Sequence, residues 1–460
     1  MPTDQKQYSF LPDERPPLGK LLIFAVQQIL VMFPATVLVA ILTGFDIATT
    51  IFASGFATIC FIFVTGRQIP LFYGSSFSYL AAIGSLMTTR MAEGADKLTA
   101  IREAQFGIVL SGLVSIAAGL IIMKFGRKLI DKILPATVTG PVAIIIGLSL
   151  AGSALNNSFS NMDLSLTASA DAKWSVGVAL FTLIATIFFS VYLKGVLSQL
   201  PIFFGVITGY AAAAIVTATG AAQLIDFHAI TEASVIALPH FSLPKPNAAA
   251  VLAIMPIAIA TIPESTAHLF QLDIYVNDLA KKRGLEGKYN IADKLGLNLV
   301  GDGIGDIIAG FIGGPAGTNY GENLSTMAIT HNFSIPVLLV AAGLTMLISF
   351  SGTLSAAVNS IPACVIGGMG IYLFGVIAAQ GVAIMIEKKT NMFSSKNLAV
   401  IAVILILGVG GCIISGGTIP FFGANLPAIA TAAVAGIVLN LLLSFGEKNE
   451  ENAEDSSNAA

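Results

Sequence analysis

Charge is scarce in this sequence. Only 11% of its 460 residues are Asp, Glu, Lys or Arg, against about 25% in soluble domains. A chain this long with so little charge cannot cover a water-facing surface. Cysteine is nearly missing: Cys60, Cys364 and Cys412 all lie inside apolar runs, which excludes a secreted scaffold held by disulfides. There is no basic patch, and with a net charge of −3 nucleic-acid binding is excluded too. The four histidines are His228, His240, His268 and His331. Three of them fall in loops or at a span end, so no metal shell closes. No nucleophile, metal or nucleotide motif marks an enzyme, and no cofactor is expected.

Apolar sequence is what the chain has in excess. Hydrophobic types make up 55%, and the mean hydropathy is +0.85. This predicts an all-α, multi-pass membrane protein whose partner is the lipid bilayer. A helix needs about 20 apolar residues to cross. Twelve runs qualify, at roughly 20–43, 47–65, 104–123, 133–152, 175–193, 198–218, 247–271, 291–312, 333–351, 361–386, 397–416 and 424–445. Two more stretches are apolar but broken. Ile69 to Met87 is interrupted by Pro70 and Gly74-Ser75-Ser76, and Gly313 to Thr330 by Gly313-Gly314-Pro315 and Thr318 to Asn323. Counting both predicts fourteen spans, the broken ones being the third and tenth.

Charge placement agrees with that count. With the N-terminus inside, 18 of the 23 basic residues fall on the inner side, and only Arg90, Lys97, Arg102, Lys173 and Lys245 fall outside. Cytoplasmic loops collect Lys and Arg in this way, so both termini are expected in the cytoplasm. The first run is too long for a signal-peptide core and is read as a retained span. The segment 447–460 is acidic, Asn/Ser-rich and expected to be disordered.

Two strings recur. Tyr73-Gly74-Ser75-Ser76-Phe77-Ser78 parallels Tyr320-Gly321-Glu322-Asn323-Leu324-Ser325, and Pro135 to Gly140 parallels Pro362 to Gly367. Both pairs lie seven spans apart. Seven is odd, so the second copy faces the opposite way: a 7+7 inverted repeat, an architecture of secondary transporters. Paired interrupted spans mark the substrate site of such proteins. Short extended segments are expected near Leu71–Gly74 and Ala316–Asn319. Each turns into a half-helix whose first N–H groups are free to meet a ligand.

Ionisable groups inside a membrane are costly and are functional candidates by default. Glu264 and His268 lie four apart on span 8, hence on one helical face. They form either a structural pair or part of a site. Glu322 opens the half-helix of span 10, where it either caps the helix or meets a ligand. Asp302 lies roughly 16 Å deep in span 9 at 1.5 Å per residue and suits a supporting role. Asp306, one turn on, receives no assignment. Two carboxylates that accept, facing backbone N–H groups that donate, complement a small planar molecule with alternating N–H and C=O groups. Phe77 supplies an apolar face beside it. A nucleobase such as uracil fits.

Gly74-Ser75-Ser76-Phe77, Pro263-Glu264 with His268, and Asn319-Tyr320-Gly321-Glu322-Asn323 together resemble the nucleobase–ascorbate transporter family, across about residues 18–446. The likeness is strongest to its uracil–proton symporters. Purine-transporting members usually show Gln-Asn-x-Gly where this chain has Tyr-Gly-Glu-Asn, so Glu322 favours a pyrimidine. The resemblance implies a core domain, 20–123 (spans 1–4) with 247–351 (spans 8–11). It implies a gate domain, 133–218 (spans 5–7) with 361–446 (spans 12–14), and a cytoplasmic segment at 1–19. It also implies substrate contacts from Phe77, Glu264, Gly321 and Glu322. The resemblance places His268 in a proton-linked network with Glu264, and His268, Ser76, Tyr320, Asn323, Asp302 and Gln28 are expected to form the proton-coupling or supporting network, the proton being the expected coupling ion. Homodimers through the gate domain are usual in the family. Two positions depart from its pattern: Gln27-Gln28 replaces a Gln-His pair, and Phe374 stands where a gate-side Tyr is common.

The expectation is therefore a proton-coupled uracil importer of the cytoplasmic (inner) membrane. The alternatives are a symporter of xanthine or another purine, and an anion transporter or channel on the same fold. The 18-to-5 split places the Lys281–Lys288 loop inside and the Arg90–Arg102 loop outside. Cysteines introduced in the two loops should therefore react with an impermeant thiol reagent from opposite sides, and labelling from one side would overturn the count.

Overall fold

The computed structural model describes residues 9–126, 133–159, 169–414, 416–421 and 424–458. Arg127, Lys128 and Lys132 of the expected inner loop lie outside these. The first half contains α1 (Leu18–Thr43), α2 (Ile47–Val64), α3 (Leu80–Ala92), α4 (Lys97–Phe125), α5 (Ala136–Ser149), α6 (Ala151–Phe159), α7 (Ala170–Tyr192) and α8 (Pro201–Ala218). A short α9 (His228–Thr231) follows. The second half contains α10 (Ala248–Ile254), α11 (Ile257–Lys282), α12 (Leu295–Ile312), α13 (Gly321–Thr330), α14 (Ile335–Ile348), α15 (Gly352–Asn359), α16 (Ala363–Glu387), α17 (Ser395–Ile414) and α18 (Ala428–Asn458). Among the described residues, ten helices or joined helix pairs are long and apolar enough to cross a bilayer, and Ile335–Ile348 and Ala428–Ser444 are shorter apolar helices. The broken spans supply α3 and α13.

Several boundaries differ from the sequence expectation. The eighth span was expected to stop near residue 271, yet α11 runs on to Lys282. Leu269, Leu272, Val276 and Leu279 keep one buried face going at helical spacing. The polar segment expected to be disordered continues α18 to Asn458, in line with its helix-favouring Glu, Lys and Ala. A hairpin of Thr418–Phe421 and Ala424–Pro427 joins α17 to α18 where only a loop was expected. Its flanking Gly416 and Gly417 take positive φ.

Helices approach one another through glycine. A Cβ on Gly112 of α4 would lie 2.4 Å from the Gly303 oxygen of α12, and one on Gly303 would lie 2.3 Å from the Gly112 oxygen. Gly119 and Gly296 repeat this at 2.5 and 2.6 Å. Gly55 of α2 meets the Ala342 oxygen of α14 at 2.6 Å, and Gly381 of α16 meets the Gly140 oxygen of α5 at 2.5 Å. In lipid, small residues permit the close backbone packing that holds helices together. One buried cluster joins α1, α2, α11, α12, α13 and α14. A second group forms around α7, α8 and α16, with Val178, Ala213 and Val365 at its centre. Two apolar clusters line the seam between the groups.

Loops sort onto two faces. On one, Phe10 pairs with Asn332, Glu14 grips the Arg283 guanidinium through two bonds of 2.7 Å, and Asp13 accepts from Lys288 at 2.6 Å and from Tyr289. Residues 9–17 thus strap the loop after α11 to the loop after α13. On the other face, the long 219–246 connection lies across the helix ends. Ala237 bonds to Phe350, Ser242 to Ile312 and Lys245 to Arg102. The charge count expects the first of these faces inside and the second outside.

Burial pulls the Asp13 carboxyl up, but hydrogen bonds from Lys288 and Tyr289 outweigh it and hold the group below its ordinary 3.8. A carboxyl held low when folded stabilises the folded state above its unfolded pKa and loses that contribution as pH falls through the lower folded value. A spin label on Arg15→Cys should therefore stay immobilised from about pH 8 to about 5 and loosen only below about pH 4.

Candidate functional site

The two broken spans meet. β1 (Tyr73–Ser75) and β2 (Gly317–Asn319) pair antiparallel, with Tyr73 opposite Asn319, Gly74 opposite Thr318 and Ser75 opposite Gly317. Both strands are fully buried. They lie within a residue or two of the segments read from the sequence. Two further bonds extend the ladder, Ser76 N–H to the Ala316 oxygen and Tyr320 N–H to the Phe72 oxygen, both 2.9 Å. The Thr58 hydroxyl accepts from Tyr73 N–H at 3.1 Å and donates to the Tyr73 oxygen at 3.0 Å. Unpaired backbone would be untenable at this depth, and these bonds supply partners.

Glycine makes the crossing possible. A Cβ on Gly74 would sit 2.3 Å from the Tyr320 ring, and one on Gly317 would sit 2.4 Å from the Gly74 oxygen. The Tyr320 hydroxyl reaches over the strand to the Ser75 oxygen (3.0 Å) and to Thr36 on α1 (2.9 Å). Beyond the crossing each chain turns helical, through a short 3-10 turn at Phe77–Tyr79 and through α13 from Gly321.

Burial divides the residues singled out in the sequence. Phe77, Glu264, His268, Gly321 and Glu322 are each only half-buried. Ser76, Tyr320, Asn323, Asp302 and Gln28 are buried. The first set gathers where the helix starts meet α11, and the second set lies behind it. Glu264 accepts a hydrogen bond from the Ser78 hydroxyl at 3.3 Å and lies close enough to Glu322 to feel its charge. His268 bonds to the backbone of Asn319, and a Cβ on Gly321 would lie 2.6 Å from its Nε2. Phe77 packs beside the apolar cluster that contains Phe374 of α16.

The helical spacing does put Glu264 and His268 on one face. Yet among the described hydrogen bonds none joins them. Glu264 turns toward Ser78 and His268 toward Asn319. Asp302 is buried: it accepts from Ser265 at 2.5 Å, and Ser265 also meets Thr318 at 3.1 Å. Asn323 donates to the Gln28 carbonyl at 2.9 Å and side-chain oxygen at 2.8 Å, tying α13 to α1. Thr36, Thr58, Ser78, Ser265 and Asp306 were not anticipated. Hydroxyls are common in apolar helices, and only the fold shows which ones meet a strand. Among the described residues no group of three or more His, Cys, Asp or Glu is placed to hold a metal.

Comparison with known proteins decides the family. Residues 19–417 match the family described as the Permease family. The uracil permease of Bacillus caldolyticus is 34% identical over 449 residues, 95% of each chain. The chain belongs to the nucleobase–ascorbate transporter family. Within it, the putative pyrimidine permease RutG of Escherichia coli is 34% identical, over 94% of this chain and 91% of its own. The uracil permease of Escherichia coli is 32% identical, over 93% and 92%. These relatives are permeases and not enzymes. Solved structures share the fold at low identity. The transmembrane domain of the cyanobacterial bicarbonate transporter BicA has a TM-score of 0.59 at 15% identity, covering 92% of this chain and 97% of that one. Murine Slc26a9 has a TM-score of 0.66 at 11%, covering 95% and 69%.

The glycine under Tyr320 gives a test of the crossing with an internal control. Gly74→Ala should cost about 1–3 kcal/mol through overpacking and lower the melting temperature of the purified protein. Gly84→Ala, where no atom lies within 4 Å, should be neutral or stabilise α3 by about 0.5–1 kcal/mol.

Proposed function

We propose that this permease is a secondary active transporter that imports uracil across the cytoplasmic membrane by proton symport. The observation that carries this is the cluster of half-buried groups where the helix starts meet α11, which this reading takes as the substrate recess. Two carboxylates, Glu264 and Glu322, and the starts of two half-helices border one half-buried space. Acceptors and donors so arranged complement a neutral ring that offers both N–H and C=O groups, and Phe77 covers one face. Several relatives are named uracil permeases. The fold is shared with a bicarbonate transporter, but a pair of carboxylates repels an anion, which favours a nucleobase over anion transport here.

Alternating access between a core and a gate domain is part of the proposal, as are fourteen spans in a 7+7 inverted repeat with both termini cytoplasmic. Packing supports the repeat. α4 lies against α12 and α2 against α14, α5 against α17 and α7 against α16. Within each couple the second pair is the first one shifted by seven spans with the partners exchanged. The gate-domain homodimer rests on family membership, and the exposed stripe Phe181, Ile184, Phe188 and Val191 on α7 is an outward face of that domain.

Proton coupling belongs to Glu264 and His268. Glu264 meets the base and takes up the proton. His268 lies one turn away, with Nδ1 unpartnered, and relays it. A proton moving down the membrane potential releases about 2.3 kcal/mol per 100 mV, enough to drive uptake against a modest gradient. The test is labelled-uracil uptake into proteoliposomes from pH 5 to 8, with and without a proton gradient, competed by xanthine. Glu322→Gln should weaken uracil binding about 10- to 150-fold, the cost of one hydrogen bond to a charged group. Glu264→Gln should retain some binding and lose accumulation. If Glu264→Gln still concentrates uracil with unchanged pH dependence, the proton is carried elsewhere.

A further inference from the structure

Asp306 is a fourth intramembrane carboxylate near the crossing, after Glu264, Glu322 and Asp302, and it is buried behind the half-buried groups. It is 2% exposed, on α12 one turn beyond Asp302. One oxygen, Oδ1, accepts from the Tyr73 hydroxyl at 2.6 Å and from the Gly317 N–H at 2.8 Å. Tyr73 opens β1 and Gly317 opens β2. In the antiparallel register these two residues stand at opposite ends of the ladder, so a single carboxylate oxygen spans it from end to end. The Tyr73 ring lies in a slot formed by glycines. A Cβ on Gly305 would be 2.6 Å from it, and one on Gly317 would be 2.5 Å away.

A ladder of three residues per strand is marginal by itself, and a slip of one residue would turn every side chain to the other face. Such a slip would carry Phe77 and Glu322 with it, because each follows its strand within three residues. The Thr58 bonds hold β1 alone, and the Tyr320 hydroxyl bonds reach β1 and α1. The Asp306 oxygen is bonded to both strands and fixes them to a third element.

We infer that Asp306, through Tyr73 and Gly317, is a positioning residue that locks the register of the strand crossing and thereby the spacing of the two half-helix starts that bind substrate. This rests on the proposed recess. The required property is an oxygen acceptor at Oδ1, not a charge. Asp306→Asn keeps that acceptor, whereas Asp306→Leu removes it. Tyr73→Phe deletes only the hydroxyl and leaves the ring in its slot.

The experiment measures uracil affinity by calorimetry and backbone hydrogen exchange of peptides covering residues 72–77 and 316–321, on purified, monodisperse full-length protein. Tyr73→Phe should weaken binding about 5- to 20-fold, the scale of one lost hydrogen bond, and speed exchange in both peptides together with little change in melting temperature. Asp306→Asn should stay within about twofold of wild type. In a Glu322→Gln background the penalty of Tyr73→Phe should shrink, since the contact it positions is already lost. Wild-type affinity and unchanged exchange in Tyr73→Phe would overturn the inference, as would an Asp306→Asn as damaged as Asp306→Leu. If wild-type protein fails to bind uracil, the functional reading fails. The exchange of the two peptides still decides the register lock, with coupled acceleration supporting it and independent behaviour refuting it.

Discussion

Backbone N–H and C=O groups cannot be left without partners at membrane depth, and most of this architecture follows from how two helix breaks meet that constraint. The two interrupted stretches each enter as extended chain, where a helix would have satisfied itself. Each strand supplies the other's missing partners, through the ladder from Phe72 to Ser76 against Ala316 to Tyr320. Remaining groups are taken up by Thr58, Tyr320 and Asp306. The crossing needs Gly74 and Gly317, because any side chain there would occupy the space of a ring or a carbonyl. What the crossing leaves over are the first turns of two half-helices, the first of them capped by the Ser76 hydroxyl, which accepts from the Ser78 N–H at 3.2 Å.

The polar chemistry is layered around that crossing. Groups that face the recess are half-buried and few. Groups behind them are buried and linked, Ser265 to Asp302 and Thr318, Asn323 to Gln28, and Tyr320 to Thr36. Such a backing holds the recess-facing side chains in place in a medium where an unpaired polar group is expensive. It also separates surroundings: Glu264 and Glu322 are half-buried near the helix starts, whereas Asp302 and Asp306 are buried and bonded to neighbours.

The two helix groups differ in how they are joined. Within each, glycine lets backbones touch, as between Gly112 and Gly303 or Gly140 and Gly381. Between them lie apolar side chains, Leu38, Leu80, Met369 and Phe374 among them, with Phe77 at their edge. An apolar cavity of about 340 Å³ opens at this seam, bordered by Phe33, Val37, Phe203, Ile361 and Met369, and it does not include the carboxylates. Apolar contacts are non-directional, in contrast to the hydrogen-bonded crossing. On one face, the Glu14–Arg283 pair ties the start of α1 to the loop that follows α11.

Sequence alone determined that the chain is a helical membrane protein, where two apolar stretches are broken, and which carboxylates sit near the breaks. These are consequences of composition, run length and the cost of charge in hydrocarbon, all local properties. The Tyr-Gly-Glu-Asn string and Glu264 were legible because intramembrane carboxylates are rare. Tertiary structure alone decided who meets whom. Asp306 was unassigned because its partners, Tyr73 and Gly317, are far from it or contribute only backbone. Glu264 and His268, adjacent by helical spacing, proved to turn apart, Glu264 toward Ser78 in the turn after β1 and His268 toward Asn319 of β2. Helix α11 outran its apolar stretch because its buried stripe, and not its mean hydropathy, sets its length. The hairpin after α17 was unreadable because strand pairing depends on two segments finding each other, a contact that no single segment encodes.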